Sequence, residues 1–407
     1  MNAIADLPAG RNVDTMPNGG TPLFPKRNAP FFRILFLFLI IFNPLYAKGE
    51  NNEDYTVYHQ YINKAEDCFY THNQVDSCLH YYNLAFEGFS FNYVHDLVNA
   101  AQIAYFSEKE YKSYLYKAYN YGLQAKHLKQ IPLFKPDCID EFENFEQTAS
   151  YQKIRNNYLK SINIEYLDWI YDFAIEEQVK KEQDDFVLWW DAHIKELTAK
   201  INQYGFPANQ IIGIENNTIF AEFGMPDKDM FERVSKHKDK DILCDENMPD
   251  FFLIGNDTIQ IEKEDNIIQC FNVDENILGI SLIMYGLIHY GISNASNDTI
   301  YNQLQTIWLQ EVRKGNLHPR EMALLHDNIH RIIIRESSDE FFESSQRGVG
   351  EVFGIETDFI HLTYDESFDV NEFRAKYNIV SLAIDAKKKE YEKKYGFKLF
   401  WGFWKCL

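Results

Sequence analysis

The stretch from Ile277 to Tyr290, I-L-G-I-S-L-I-M-Y-G-L-I-H-Y, carries no formal charge and a single histidine, His289. It falls short of the roughly 18 to 20 apolar residues that a membrane span needs, so it predicts a helix buried on all sides. A helix of that kind must be wrapped by others. The two amphipathic stretches that follow it, Thr299 to Lys314 and Pro319 to Arg335, are the natural partners.

At 407 residues, 45% of them apolar, the chain is long enough for two or three domains with their own cores. Its formal charge of -21 repels phosphate backbones, and no basic stripe offsets it, so nucleic acid is not expected as a partner. Tyrosine and phenylalanine are abundant, which by itself selects no ligand class.

Residues 1 to 30 are rich in Gly, Pro and Asn and lack an apolar period, as a disordered leader would. Lys26, Arg27 and Arg33 then flank the apolar core Ile34 to Phe42, and Asn43-Pro44 breaks it ahead of Leu45-Tyr46-Ala47. This order predicts an export signal over 1–47 cut after Ala47. The alternative, an uncleaved anchor, has only that short apolar core to hold it. The expected product is periplasmic or secreted, with no transmembrane span once the signal is removed.

Six scattered cysteines form no C-x-x-C pair, so no zinc or thioredoxin-like spacing is present. In an oxidising compartment Cys68 and Cys78 either bridge or sit as small buried core residues.

From 51 to 135 the pattern is one of helical hairpins. Cys78, Tyr82 and Ala85 follow the small, aromatic, small order of the second helix of a tetratricopeptide repeat, where small residues let helices nest and the aromatic fills the gap. A poorer copy begins at Asp96 and departs where Tyr111 replaces the small residue. Pro132 and Pro136 mark a joint, and a second helical region, 138–407, follows. The charged run Glu176 to Asp185 reads as a solvated helix face, and Tyr204-Gly205-Phe206-Pro207 as a helix stop.

Between 211 and 276 the period changes. Asn217 to Phe223, Phe251 to Ile254, Thr258 to Ile261 and Ile267 to Phe271 are short, β-branched or aromatic runs, and predict a small antiparallel β insertion. Past the buried helix, Asn297-Asp298 offers an N-cap and Gly315 a stop. Pro319 then suits a first helical turn, and Lys387 to Lys394 reads as a last charged helix. The fold class is therefore mainly α: tetratricopeptide-like hairpins followed by a helical domain with a β insertion.

Two constellations bear chemistry. In His326-Asp327-Asn328-Ile329-His330 two histidines four apart bracket an acid, the arrangement by which H-E-x-x-H helices hold zinc; against it, both histidines border an apolar stripe, where a core histidine with satisfied hydrogen bonds is the default. His289 is either a base facing the bundle interior or a donor to a backbone carbonyl. No phosphate-binding glycine loop, dinucleotide fingerprint or nucleophile elbow occurs, and no cofactor is expected.

The second half resembles an uncharacterised family of exported bacterial proteins often found behind tetratricopeptide-like helices. The likeness runs from about Asn163 to Gly396 and rests on Glu177-Gln178, the turn at Tyr204, the apolar helix ending at His289, Gly315, Ala323 to Asp327 and Val370 to Arg374. Asn328 and the segment Phe353-Gly354-Ile355-Glu356 depart from the family pattern. The resemblance implies that His289, Asp327 and Arg374 converge in one polar pocket. The leading expectation is an exported interaction or scaffold protein whose partner is an envelope or secreted protein. Its rival is a hydrolase-like enzyme that uses His289, Asp327 and Glu356, with Arg374 alongside and with or without a metal on His326 and His330.

Overall fold

The computed structural model describes residues 53–129, 131, 134–180, 186–214, 218–226, 298–323, 325 and 370–395. It adds the backbone of four short strands between 233 and 271 and the isolated helical residues 283, 286, 287 and 290. The expected signal at 1–47 lies outside them, as do His289, His326, Asp327, His330 and Glu356.

The described part is mainly α. None of its helices is long and apolar enough to cross a membrane. Helix α1, Tyr55–Glu66, begins where the Asp54 side chain accepts the Thr56 amide, a standard N-cap. Its buried residues Tyr55, Tyr58, His59, Ile62, Ala65 and Glu66 share one face by their three- and four-residue spacing. A π-helical turn, Asp67–Thr71, leads to α2, Val75–Gly88, which packs back on α1. Cys78, Tyr82 and Ala85 are buried in that pairing, and the thiols of Cys68 and Cys78 are free, so no bridge joins them.

Helix α3, Val94–Phe106, is buried along its whole length from Val94 to Ala104. Ala100, Ala101 and Ala104 leave room for close neighbours, and this helix is a rod wrapped by the others. Ile283, Leu287 and Tyr290 are also helical and buried, and Gly286 lets that backbone approach Trp190, whose ring a Cβ would meet at 3.2 Å.

Next come α4 (Lys112–Tyr119), α5 (Ala125–Leu128), α6 (Pro136–Glu146), α7 (Ala149–Ser161), α8 (Ile164–Lys180) and α9 (Phe186–Tyr204). Pro136 occupies the first turn of α6, where its missing N–H is no loss. Helix α9 ends where the Gly205 amide bonds to the Ile201 carbonyl and Gly205 takes φ +91°, as the Y-G-F-P turn predicts. Glu177 is buried, so the charged run at 176 is not wholly a solvated face.

After the short α10 (Asn209–Ile212), the expected strand at Asn217 to Phe223 is instead a helical turn, α11, Ile219–Glu222. Ile219 and Phe220 are adjacent and both buried, which a strand exposed on one face cannot achieve. A short apolar run is ambiguous between the two structures by periodicity alone. Farther on, Arg233–Lys236 pairs antiparallel with Ile267–Phe271, and Phe251–Ile254 with Asp257–Gln260. Helix α12, Asp298–Arg313, packs on α1. Residues 319–323 and 325 are helical, followed by α13 (Val370–Lys376) and α14 (Leu382–Tyr395), which begins five residues ahead of the charged run Lys387 to Lys394.

Two apolar cores result. One gathers residues from Tyr55 to Tyr151 together with Ile214; the other draws on residues between Tyr158 and Ile379 and is rich in tryptophan and tyrosine. Tyr391 of α14 joins the first, meeting Phe69 and Tyr70 of the π turn edge-on at ring distances of 5.5 and 5.8 Å.

Candidate functional site

Polar side chains are concentrated where α1, α3, the helix after Pro319 and α14 meet. Helix α1 contributes His59 and Glu66, seven residues and two turns apart on its buried face. The first turn of α3 contributes His95 and Asp96. His318 stands at the N-terminus of the next helix: its Nδ1 accepts the Arg320 amide at 3.2 Å, and its own amide donates to Glu321 Oε2 at 2.9 Å. These two bonds satisfy backbone donors that a helix start leaves over.

The imidazoles of His95 and His318 cross edge-to-face with centroids 4.3 Å apart, and that of His59 lies 5.0 Å from His318. Asp96 is common to all of this: its Oδ1 is 3.5 Å from His95 Nε2, its Oδ2 3.9 Å from His318 Nε2, and Tyr58 donates its hydroxyl to Oδ2 at 3.0 Å. One donor atom each from His95, Asp96 and His318 lies within 4.8 Å of the others. Among the described residues, no hydrogen-bond partner meets Nε2 of His59 or of His318, both buried. These groups face a cavity of about 20 Å³, room for one water molecule or a bare ion. Only Asn63 and Asn378 among its lining residues are half-buried; the rest are buried.

Beside this trio lies an ionic arm. Arg320 and Arg374 both donate to Asp385, and Arg374 also donates from Nε to the Val380 carbonyl at 2.6 Å. Lys388 pairs with Glu66 and lies over the Tyr70 ring at 5.9 Å. Arg320 and Lys388 both line the cavity.

Burial governs the protonation of these groups. It lowers the pKa of His59 to about 3, helped by His95, and that of His95 to about 3, helped by Lys388 and Arg320. His318 is pushed well below the usual range by burial and then by the other two histidines. All three rings are therefore neutral near pH 7. Burial raises Asp96 to about 8 against the opposing Tyr58 hydrogen bond. Burial also pushes Asp385 upward, but Arg320 and then Arg374 outweigh it and hold the carboxyl down to about 2.

Of the candidate catalytic and metal residues His289, His326, Asp327, His330, Glu356 and Arg374, Arg374 alone falls in the described part, fully buried in the ionic arm. His59, His95, Asp96 and His318 were not legible as a site, since no two of them lie at metal-ligand spacing in sequence. The available signal was polarity inside apolar stripes. His95 and Asp96, Asn99 and Gln102 recur at helical intervals along a segment whose other residues from Val94 to Ala104 are apolar, and His59 interrupts the stripe of α1. No protein-family model, curated protein or solved structure matches this chain.

Proposed function

We propose that the chain is an exported helical scaffold or interaction protein, with tetratricopeptide-like hairpins over 51–135 and a helical domain carrying a small antiparallel β insertion over 211–276. The partner is an envelope or secreted protein. The observation that carries this reading is the closure of the polar junction. A cavity of about 20 Å³ is far below the several hundred Å³ of a site that takes an organic substrate. The buried charges there join helices distant in sequence, and the partner is assigned to the outer helix surfaces. The burial of Cys78, Tyr82 and Ala85 between α1 and α2 supports the hairpin reading.

The test is photo-crosslinking in cells that make the full chain. A photoreactive residue is placed in turn at Val57, Phe106 and Leu188, large apolar side chains that reach solvent. One discrete, saturable adduct with an envelope or secreted protein is expected, on a chain shortened by removal of 1–47. A monomer that yields no adduct from any of the three positions contradicts the reading.

A further inference from the structure

We propose that His95, Asp96 and His318, with His59 alongside, bind one divalent transition-metal ion of the zinc class. This is independent of the scaffold reading, because the site is judged on its own donors. The Asp96 oxygens lie 3.5 Å from His95 Nε2 and 3.9 Å from His318 Nε2. Two ligands on one tetrahedral zinc, each bonded at about 2.1 Å, sit about 3.4 Å apart. The three donor atoms, one per residue, lie within 4.8 Å of one another, so side-chain shifts of up to roughly 1.5 Å close the site. Nε2 of His59 and of His318 has no hydrogen-bond partner among the described residues, and a buried nitrogen in that state is unfavourable unless something in the cavity meets it.

The donor set names the class of ion. Imidazole nitrogens with one carboxylate oxygen suit zinc, cobalt, nickel or iron, and lack the thiolates that soft ions prefer or the all-oxygen shell of calcium. The surroundings supply an orienting contact as well: the Tyr58 hydroxyl fixes the Asp96 carboxylate. The nearby cations are partly neutralised: Lys388 pairs with Glu66, and Arg320 shares Asp385 with Arg374.

Two protons oppose binding. His318 Nδ1 accepts the Arg320 amide, so its neutral ring carries the proton on Nε2. Coordination through Nε2 moves that proton to Nδ1 and removes one cap hydrogen bond. Asp96, raised to about 8 by burial, must give up its proton as well, and it and His95 are the targets for substitution.

The full chain, purified without a polyhistidine tag and stripped of metal, is titrated with Co2+ and with Zn2+. One equivalent of Co2+ should give the visible absorption of a protein-bound low-symmetry site, and Zn2+ should raise the Tm. Asp96→Asn and His95→Gln should each weaken Co2+ binding at least tenfold at unchanged helical circular dichroism. If those variants fail to fold, Tyr58→Phe serves instead, and should weaken binding roughly tenfold at unchanged stoichiometry, as loss of an outer contact does. The double variant His326→Ala/His330→Ala should bind as the parent does. Absence of the Co2+ absorption and of any Zn2+ effect on Tm would overturn the proposal and leave a water in the cavity. Loss of binding in the double variant with retention in Asp96→Asn would overturn it too.

Discussion

Glu66 and Lys388 lie 322 residues apart in the chain and form a buried ion pair, joining the end of α1 to the middle of α14. Removing one member leaves the other charged, buried and without this counterion. Lys388→Met should therefore cost about 3 to 5 kcal/mol. Glu66→Leu should cost a similar amount, and the double variant much less than the sum of the two. Urea denaturation of the four proteins measures the coupling, and simple additivity would show that the pair does not act as a unit.

Arg374, fully buried, donates to Asp385 and to the Val380 carbonyl. Both bonds tie α13 to the turn before α14 and to that helix itself. Arg374→Met should lose about 3 to 5 kcal/mol of stability by leaving Asp385 with one guanidinium partner instead of two. Equilibrium unfolding tests this, and a stability within about 0.5 kcal/mol of the parent would show that Arg374 has no structural role.

Tyr158 is seated between two glycines. Its hydroxyl accepts the Ile214 amide at 3.0 Å, while a Cβ on Gly213 would come within 2.4 Å of that oxygen and one on Gly122 within 2.4 Å of the ring. Both glycines have positive φ, +77° at Gly213 and +100° at Gly122. Gly213→Ala should cost at least about 1 to 3 kcal/mol from backbone strain before the steric clash is counted. Gly88 closes α2 with nothing near its would-be Cβ, so Gly88→Ala should be neutral or gain up to about 1 kcal/mol. Melting curves of the two variants should move in opposite directions or differ by several degrees.

Asp385 gives the fold an acid limit. Its folded pKa, about 2, lies below the ordinary value of 3.8, so the native state binds fewer protons than the unfolded chain between those values. Its contribution is complete above pH 3.8 and is lost as pH falls through about 2. Urea midpoints of the parent and of Asp385→Asn, followed from pH 5 to pH 2, isolate it. The parent's advantage should shrink toward pH 2, and an advantage constant with pH would remove this carboxylate from the account.

Much of the helical character was legible because its signals are local. The stop at Gly205 follows from capping chemistry and the span of α12 from a regular apolar stripe, whereas Pro136, read as a joint, itself opens the helix. The turn at Ile219 was misread as a strand because four residues show no period, and only packing decides which way Ile219 and Phe220 point. The polar junction was hidden for a different reason. His59, His95, His318 and Lys388 belong to four elements spread over more than 300 residues, and chain topology alone brings them together. Arg374 was visible as a polar residue of interest, but its partner Asp385 was not, because an acidic residue at the start of a charged helix looks like surface.

Native-state hydrogen exchange on the parent and on Lys388→Met tests most directly whether the junction makes the N-terminal hairpin and the C-terminal helix one unit. Amides in Tyr55–Glu66 and in Leu382–Tyr395 should lose protection together and by the same factor in the variant. Faster exchange confined to Leu382–Tyr395, with Tyr55–Glu66 protected as before, would contradict the account.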